Sequence, residues 1–474
     1  MKRLVPALLL CSALLGAAQQ APEPDLSKFY SQQLLGDLPR VQQAAIQSDY
    51  ALRQLDHLTN TIGPRLAGSP QAQAAAEYVA AEMRKLGLEV RLEKVMVPHW
   101  VRGAETAELV QYPGQVPSTT QKIVVTALGN SSATPPEGIT ADVVVVGSFR
   151  ELTALGRDKV AGKIVVFNVP YDERLAMMGL SGEAYGVVTR YRGGGGEAAA
   201  KLGAVAVLVR AAGGADFRIT HTGYSAAAGI PNASVTAEDA MLIARLAQQG
   251  PVRLHLTLTP QKFPDVESYN VVADLKGSDH PEQVVIVSGH LDSWDLGTGA
   301  IDDGAGVVMA METAAVFQQL KLRPKRTLRV IAWMDEELRG SGHDAYFKDH
   351  QGELASHFAA IESDSGAGHP AGFEVAIPPE AIPLLRPVQD ALRSQGASVL
   401  HVSRYTGSDI SPLAKAGVPT FGLAQDTRHY FDYHHTAADT FDKVDPHELA
   451  ENAAAMATLA WALCNLEQPL PRAK

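Results

Sequence analysis

Val284-Val285-Ile286-Val287-Ser288-Gly289-His290-Leu291-Asp292 is an apolar run that stops at a histidine and, two residues on, a carboxylate. A short run rich in β-branched residues reads as a strand buried on both faces, 284–288, the kind found where helices cover a sheet. Residues 304–320, rich in Ala, Val and Met, then read as a helix. Residues 327–334, 358–362 and 418–423 read as three further strands. This alternation begins at Tyr269 and predicts an α/β domain, a parallel or mixed sheet flanked by helices.

Upstream, residues 69–86 have helical apolar spacing, with Pro70 in the first turn and Gly87 ending the run. Residues 88–97 alternate like a strand. The texture changes over 118–259, where β-branched runs recur at 123–126, 141–146, 163–168 and 204–209. Four glycines at 193–196 precede a helical stretch, 197–202, but no Lys-Ser/Thr follows as in a phosphate loop. They predict a flexible loop. The expected division is a main domain in two parts, 19–117 and 260–474, with 118–259 inserted as a small α/β or β-rich domain.

The N-terminus reads as a cleavable export signal over 1–18: Lys2 and Arg3, an apolar run 4–15, then Gly16-Ala17-Ala18. The run is too short to span a bilayer. A periplasmic or secreted protein with no stable membrane insertion follows, and residues 19–40 read as a polar arm. Cys11 leaves with the signal, so the mature chain holds only Cys464 and no intrachain disulfide. A net charge of -11 argues against nucleic acid.

Three of the expected strands run into chemistry-bearing residues. The first ends at His290, the second at Asp335-Glu336-Glu337, the third at Asp364. In open α/β sheets, ligands bind at the carboxyl ends of strands. Asp292 lies on the same side of an extended segment as His290 and could accept its second imidazole N–H. Asp302-Asp303-Gly304 by itself reads as a helix-capping turn. In Glu336-Glu337, one acid could ligate metal while its neighbour takes a proton from water. Near the C-terminus, Tyr433-His434-His435-Thr436 is followed by Asp439, and two adjacent histidines rarely both face one site. His429 reads as surface. Together these elements supply two histidines, three carboxylates and a free Glu, a set that suits Zn²⁺, with Mn²⁺ or Co²⁺ as substitutes.

Ser288-Gly289-His290-Leu291-Asp292-Ser293-Trp294-Asp295, Gly299-Ala300-Ile301-Asp302-Asp303-Gly304, Asp335-Glu336-Glu337, Glu362-Ser363-Asp364 and His435-Thr436 occur in the order that resembles the co-catalytic zinc aminopeptidase family. The resemblance covers nearly the whole mature chain, and the inserted region resembles a protease-associated domain. It implies the zinc-exopeptidase (phosphorylase/hydrolase-like) fold, a mixed sheet flanked by helices, and two zinc ions per chain. Asp302 would bridge them, His290 and Asp364 completing one site, Glu337 and His435 the other. His435 is chosen over His434 because the family ligand precedes Ser or Thr and stands four residues before an acid, here Asp439. Glu336 would be the general base, Asp292 would orient His290, and Tyr405 would resemble the family tyrosine that stabilises the oxyanion. The Asp302–Asp303 peptide is expected to be cis. The branch most like this chain implies hydrolysis of unblocked dipeptides or short peptides, and a homodimer. Aminopeptidase action on longer peptides is the near alternative. A single-zinc glutaminyl cyclase and a non-catalytic binding protein on the same fold are the rivals.

Overall fold

The computed structural model describes residues 24–215 and 217–472. The export signal read at 1–18 lies outside them. The main sheet has eight strands: β1 (Glu89–Val101), β2 (Gln261–Leu275), β3 (His280–His290), β4 (Arg326–Trp333), β5 (His357–Glu362), β6 (Pro370–Ala376), β7 (Val399–Val402) and β8 (Thr420–Gln425). Their order across the sheet is β1-β2-β4-β3-β5-β8-β6-β7. The central strands β4, β3, β5 and β8 run parallel, while β1, β2 and β6 pair antiparallel with their neighbours towards the centre. The sheet is therefore mixed, as expected. Parallel pairing puts four carboxyl ends on one edge, with His290 opposite Trp333 and Ser288 opposite Glu362.

The helices that position this edge are α1 (Gln32–Ile46), α2 (Pro70–Lys85), α3 (Ser181–Lys201), α4 (Ala305–Gln319) and α5 (Pro446–Asn465). Helices α4 and α5 are buried almost throughout and pack on each other and on β3. Their alanines leave room for that close approach. Helix α1 packs on α5, so residues 32–40 are not an arm. Leu34, Leu38, Val41 and Ala45 bury one face of it, a narrow stripe that the surrounding Gln, Asp and Arg conceal in the sequence.

The chain leaves the main sheet at the end of β1 and re-enters at the start of β2, where Val101 stands opposite Gln261. Everything between departs from one point. It forms a second eight-stranded sheet, from Glu105–Gln111 to Arg253–Leu258, which begins ahead of the boundary read at residue 118. Two strands at opposite edges of this sheet, Gln121–Ile123 and Val125–Ala127, are separated only by Val124, so the sheet curls round on itself.

The glycines 193–196 lie inside α3, not in a loop. At Gly195 and Gly196 smallness serves contact rather than mobility. A Cβ on Gly195 would meet Phe167 at 2.9 Å, and one on Gly196 would meet the Asn232 side chain at 2.3 Å. At these two positions helix α3 lies too close to its sheet for a side chain, while Tyr191 packs on Phe167 beside them.

Candidate active site

His290 ends β3 and is 1% exposed. Its Nδ1 faces the main-chain carbonyl of Asp292 at 2.9 Å, which leaves Nε2 free to point into the site. The carboxylate of Asp292 does not hold this imidazole: its Oδ1 is 3.9 Å from Nδ1. It accepts instead from the backbone N–H groups of Asp335 (2.8 Å), Glu336 (3.1 Å) and Glu337 (3.4 Å). Asp292 thus clamps the acidic turn after β4 to the turn after β3. The expected acceptance of the His290 N–H by this carboxylate is not what the fold shows; the carboxylate holds the acid loop.

Asp302 and Asp303 divide their work, and the peptide between them is cis. Asp303 accepts from the N–H of His290 (3.0 Å) and of Gly306 (2.9 Å), capping α4 as an acid before a helix does. Asp302 faces the cleft. Its Oδ1 is 3.2 Å from Nε2 of His290, and its Oδ2 is 3.2 Å from Nε2 of His435. Asp364 Oδ1 stands 3.5 Å from His290 Nε2, and Glu337 Oε2 stands 2.9 Å from His435 Nε2. The five residues fall into two overlapping groups, His290–Asp302–Asp364 and Asp302–Glu337–His435, with Asp302 in both.

These donors fit metal ions. Burial pushes the Glu337 carboxyl well above its ordinary range, and the neighbouring charge of Asp302 adds to this. Asp302 is held well below the ordinary range despite its burial, because His434, His290 and His435 surround it. Among the described residues, no Lys or Arg pairs with Asp302, Glu337 or Asp364, and Glu337 Oε1 is buried without a hydrogen-bond partner. Crowded, buried carboxylates with an orphaned oxygen are costly unless a cation joins them. Mixed imidazole and carboxylate donors suit zinc.

The two adjacent histidines both face the site, against expectation. His434 Nε2 is 3.4 Å from Asp302 Oδ2, and the two rings stack at 3.7 Å. The left-handed backbone at His435 (φ 60°) breaks the alternation that would send successive side chains to opposite sides. His221, from the second sheet region, faces the Thr222 carbonyl through Nδ1 at 3.0 Å and His434 Nδ1 through Nε2 at 3.3 Å. His221 therefore donates to the carbonyl and accepts from His434. His429 is exposed beside Asp432, as expected.

Glu336 is half-buried and lines the same cleft as Asp302, Glu337, Asp364 and His435. Tyr405 lies at the rim of this cleft, 60% exposed, with its hydroxyl 2.8 Å from Ser408 Oγ. The cleft holds about 1360 Å³, and its far wall comes from the second sheet region, through Ser181, Tyr185, Arg192 and Tyr224.

Three residues at the site gave no signal in the sequence. Arg65 is fully buried and donates to the carbonyls of Leu291 (2.8 Å), Thr298 (2.7 Å) and Gly299 (2.8 Å), which shapes the turn between His290 and Asp302. Arg192 and His221 reach the site from a different sheet. Asp439, noted only for its spacing, accepts from the N–H groups of Ala300 and Ile301, both at 2.8 Å, and so anchors the segment that carries Asp302.

The model described as Peptidase family M28 matches residues 270–460. Carboxypeptidase Q of Rattus norvegicus is 38% identical over 427 residues, covering 88% of this chain and 86% of that protein. The crystal structure of a peptidase M28 precursor from Shewanella amazonensis SB2B superposes with a TM-score of 0.85 at 35% identity, covering 93% of this chain and 99% of the other. A zinc aminopeptidase from Bacillus subtilis shares the fold, with a TM-score of 0.62 at 21% identity, covering 87% and 94%.

Proposed function

The chain belongs to peptidase family M28 and is a zinc-dependent exopeptidase, and from that premise we propose that it holds two zinc ions and hydrolyses unblocked dipeptides or short peptides. One observation carries the two-ion reading: the oxygens of Asp302 face two different histidines, each with its own second carboxylate. His290, Asp302 and Asp364 would hold one ion, and Asp302, Glu337 and His435 the other.

Bound zinc would supply Lewis acidity, polarising a peptide carbonyl and making a nearby water easier to deprotonate. Glu336 is placed by its backbone N–H on Asp292 and, unlike Glu337, forms no ion pair with a histidine among the described residues, so its carboxylate is left to move protons. It takes the proton of the attacking water and delivers it to the leaving amine. Tyr405 would donate its hydroxyl to the developing oxyanion from the rim of the cleft.

Export through residues 1–18, a homodimer, and a protease-associated character for the second sheet belong to the same proposal. Zinc content, read with hydrolysis of an unblocked dipeptide before and after chelation, tests it. About two ions per chain, with activity lost on chelation and restored by zinc, supports it, and one ion per chain sinks the bridging role of Asp302. A cleft of about 1360 Å³ exceeds what a dipeptide fills, which favours aminopeptidase action on longer peptides as the second reading. Rates on a dipeptide and on a longer peptide with the same first residue separate the two.

A further inference from the structure

We propose that the second sheet region positions the ligand His435, so that an ion at Asp302–Glu337–His435 is coupled to the seating of that region and an ion at His290–Asp302–Asp364 is not. This inference rests on the two-ion reading.

The two halves of the centre are held differently. The first is held by the main sheet and the turn after it. The N–H of His290 donates to Asp303 (3.0 Å), and the N–H of Ser363, beside Asp364, donates to the Ser288 carbonyl (3.1 Å) across paired strands. His435 lies outside this framework, in the segment that follows β8. On its C-terminal side that segment is tied to the main domain through Asp439, which accepts from Ala300 and Ile301. On its N-terminal side the second sheet region covers it. The Gly214 N–H donates to the Phe431 carbonyl (3.2 Å), and Tyr185 stacks on the Phe431 ring with centroids 4.1 Å apart and planes at 19°. The hydroxyls of Ser181 and Thr427 lie 2.5 Å apart. The fit leaves no slack: a Cβ at Gly213 would lie 2.0 Å from the Phe431 carbonyl oxygen, and one at Gly214 would lie 2.3 Å from Oδ1 of Asp432.

One of these bonds reaches the ligand itself. The Thr222 N–H donates to the carbonyl of His435 (2.9 Å). It falls where the backbone is least able to hold itself. His435 is left-handed (φ 60°), a conformation that a residue with a side chain keeps only where its surroundings impose it. A metal site needs its ligands within about 0.5 Å of the productive geometry. A region that fixes the backbone of one ligand therefore sets the affinity of one ion. By reciprocity, that ion fixes the region in turn.

The test titrates zinc into metal-free enzyme against a competing chelator, and reads amide hydrogen exchange at each step. Gly213→Ala, which forces the region off Phe431, should keep one tight ion and weaken the other on the order of 10- to 100-fold. Gly214→Ala should do the same to a smaller extent, because the exposed side of Asp432 lets its carboxylate swing away. Gly196→Ala disturbs the packing of the second sheet region away from this contact, and should leave both ions unchanged. In the wild type, the first equivalent of zinc should slow exchange at Ser363, and the second at Gly214 and Thr222. Equal weakening of both ions in Gly213→Ala, or of neither, would overturn the proposal. So would a loss in Gly196→Ala as large as in Gly213→Ala, which would mark general loosening rather than positioning. A wild type that takes up a single ion would count against the two-ion reading alone. Exchange at Gly214 and Thr222 then still decides the coupling, with protection by that ion supporting it and no protection overturning it.

Discussion

The two sheets contribute to one cleft in opposite ways. The main sheet brings acids and histidines to the carboxyl edge of its parallel strands, each from a turn that directly follows a buried run. The second sheet brings a cation and an imidazole, Arg192 and His221, from segments with no such pattern. The first layer groups donors that fit metal ions, and the second closes the cleft across from them. Chemistry built on a regular edge leaves a trace in the sequence. A wall supplied from across the cleft does not.

The division can be broken by mutation. The largest effect is expected at Glu336. Glu336→Gln should retain zinc, measured by elemental analysis, while kcat falls about 100- to 10,000-fold. Wild-type turnover in this variant would remove proton transfer from the main sheet. Next, His435→Ala should cost one of the two zinc ions proposed and His434→Ala none, because only His435 groups with Asp302 and Glu337. The reverse result would move the metal towards His221 and blur the boundary between the layers.

The smaller effects test whether the second layer is packed through its glycines. Gly196→Ala drives a Cβ to 2.3 Å from Asn232, which is buried and donates to the Ile230 carbonyl. A loss of about 1–3 kcal/mol in denaturant unfolding is expected. Gly193→Ala, in the same helix with nothing within 4 Å of its Cβ, should be neutral or stabilise by up to ~1 kcal/mol. If both behaved alike, the glycine run would not be a packing device.

Some readings of the sequence failed for identifiable reasons. The glycine run was expected to be a loop because glycine is a poor helix former, but the space against Phe167 and Asn232 outweighs that propensity. Helix α1 was hidden because a four-residue apolar stripe among polar residues resembles an arm until α5 is there to bury it. Asp292 was expected to orient His290, yet in the fold its carboxylate meets three N–H groups of a turn more than forty residues away.

By itself the sequence determined the mixed α/β architecture, the strand ends that carry His290, Glu336, Glu337 and Asp364, and the donor chemistry that suits zinc. These depend on local order: buried runs, the residue types that end them, and the rule that parallel strands share an edge. Only the tertiary structure decided that Asp302 looks both ways, that both histidines turn inward, and that Arg192 stands behind His435. Those facts depend on where separate chain segments meet, and distances between segments are set by packing rather than by spacing along the chain.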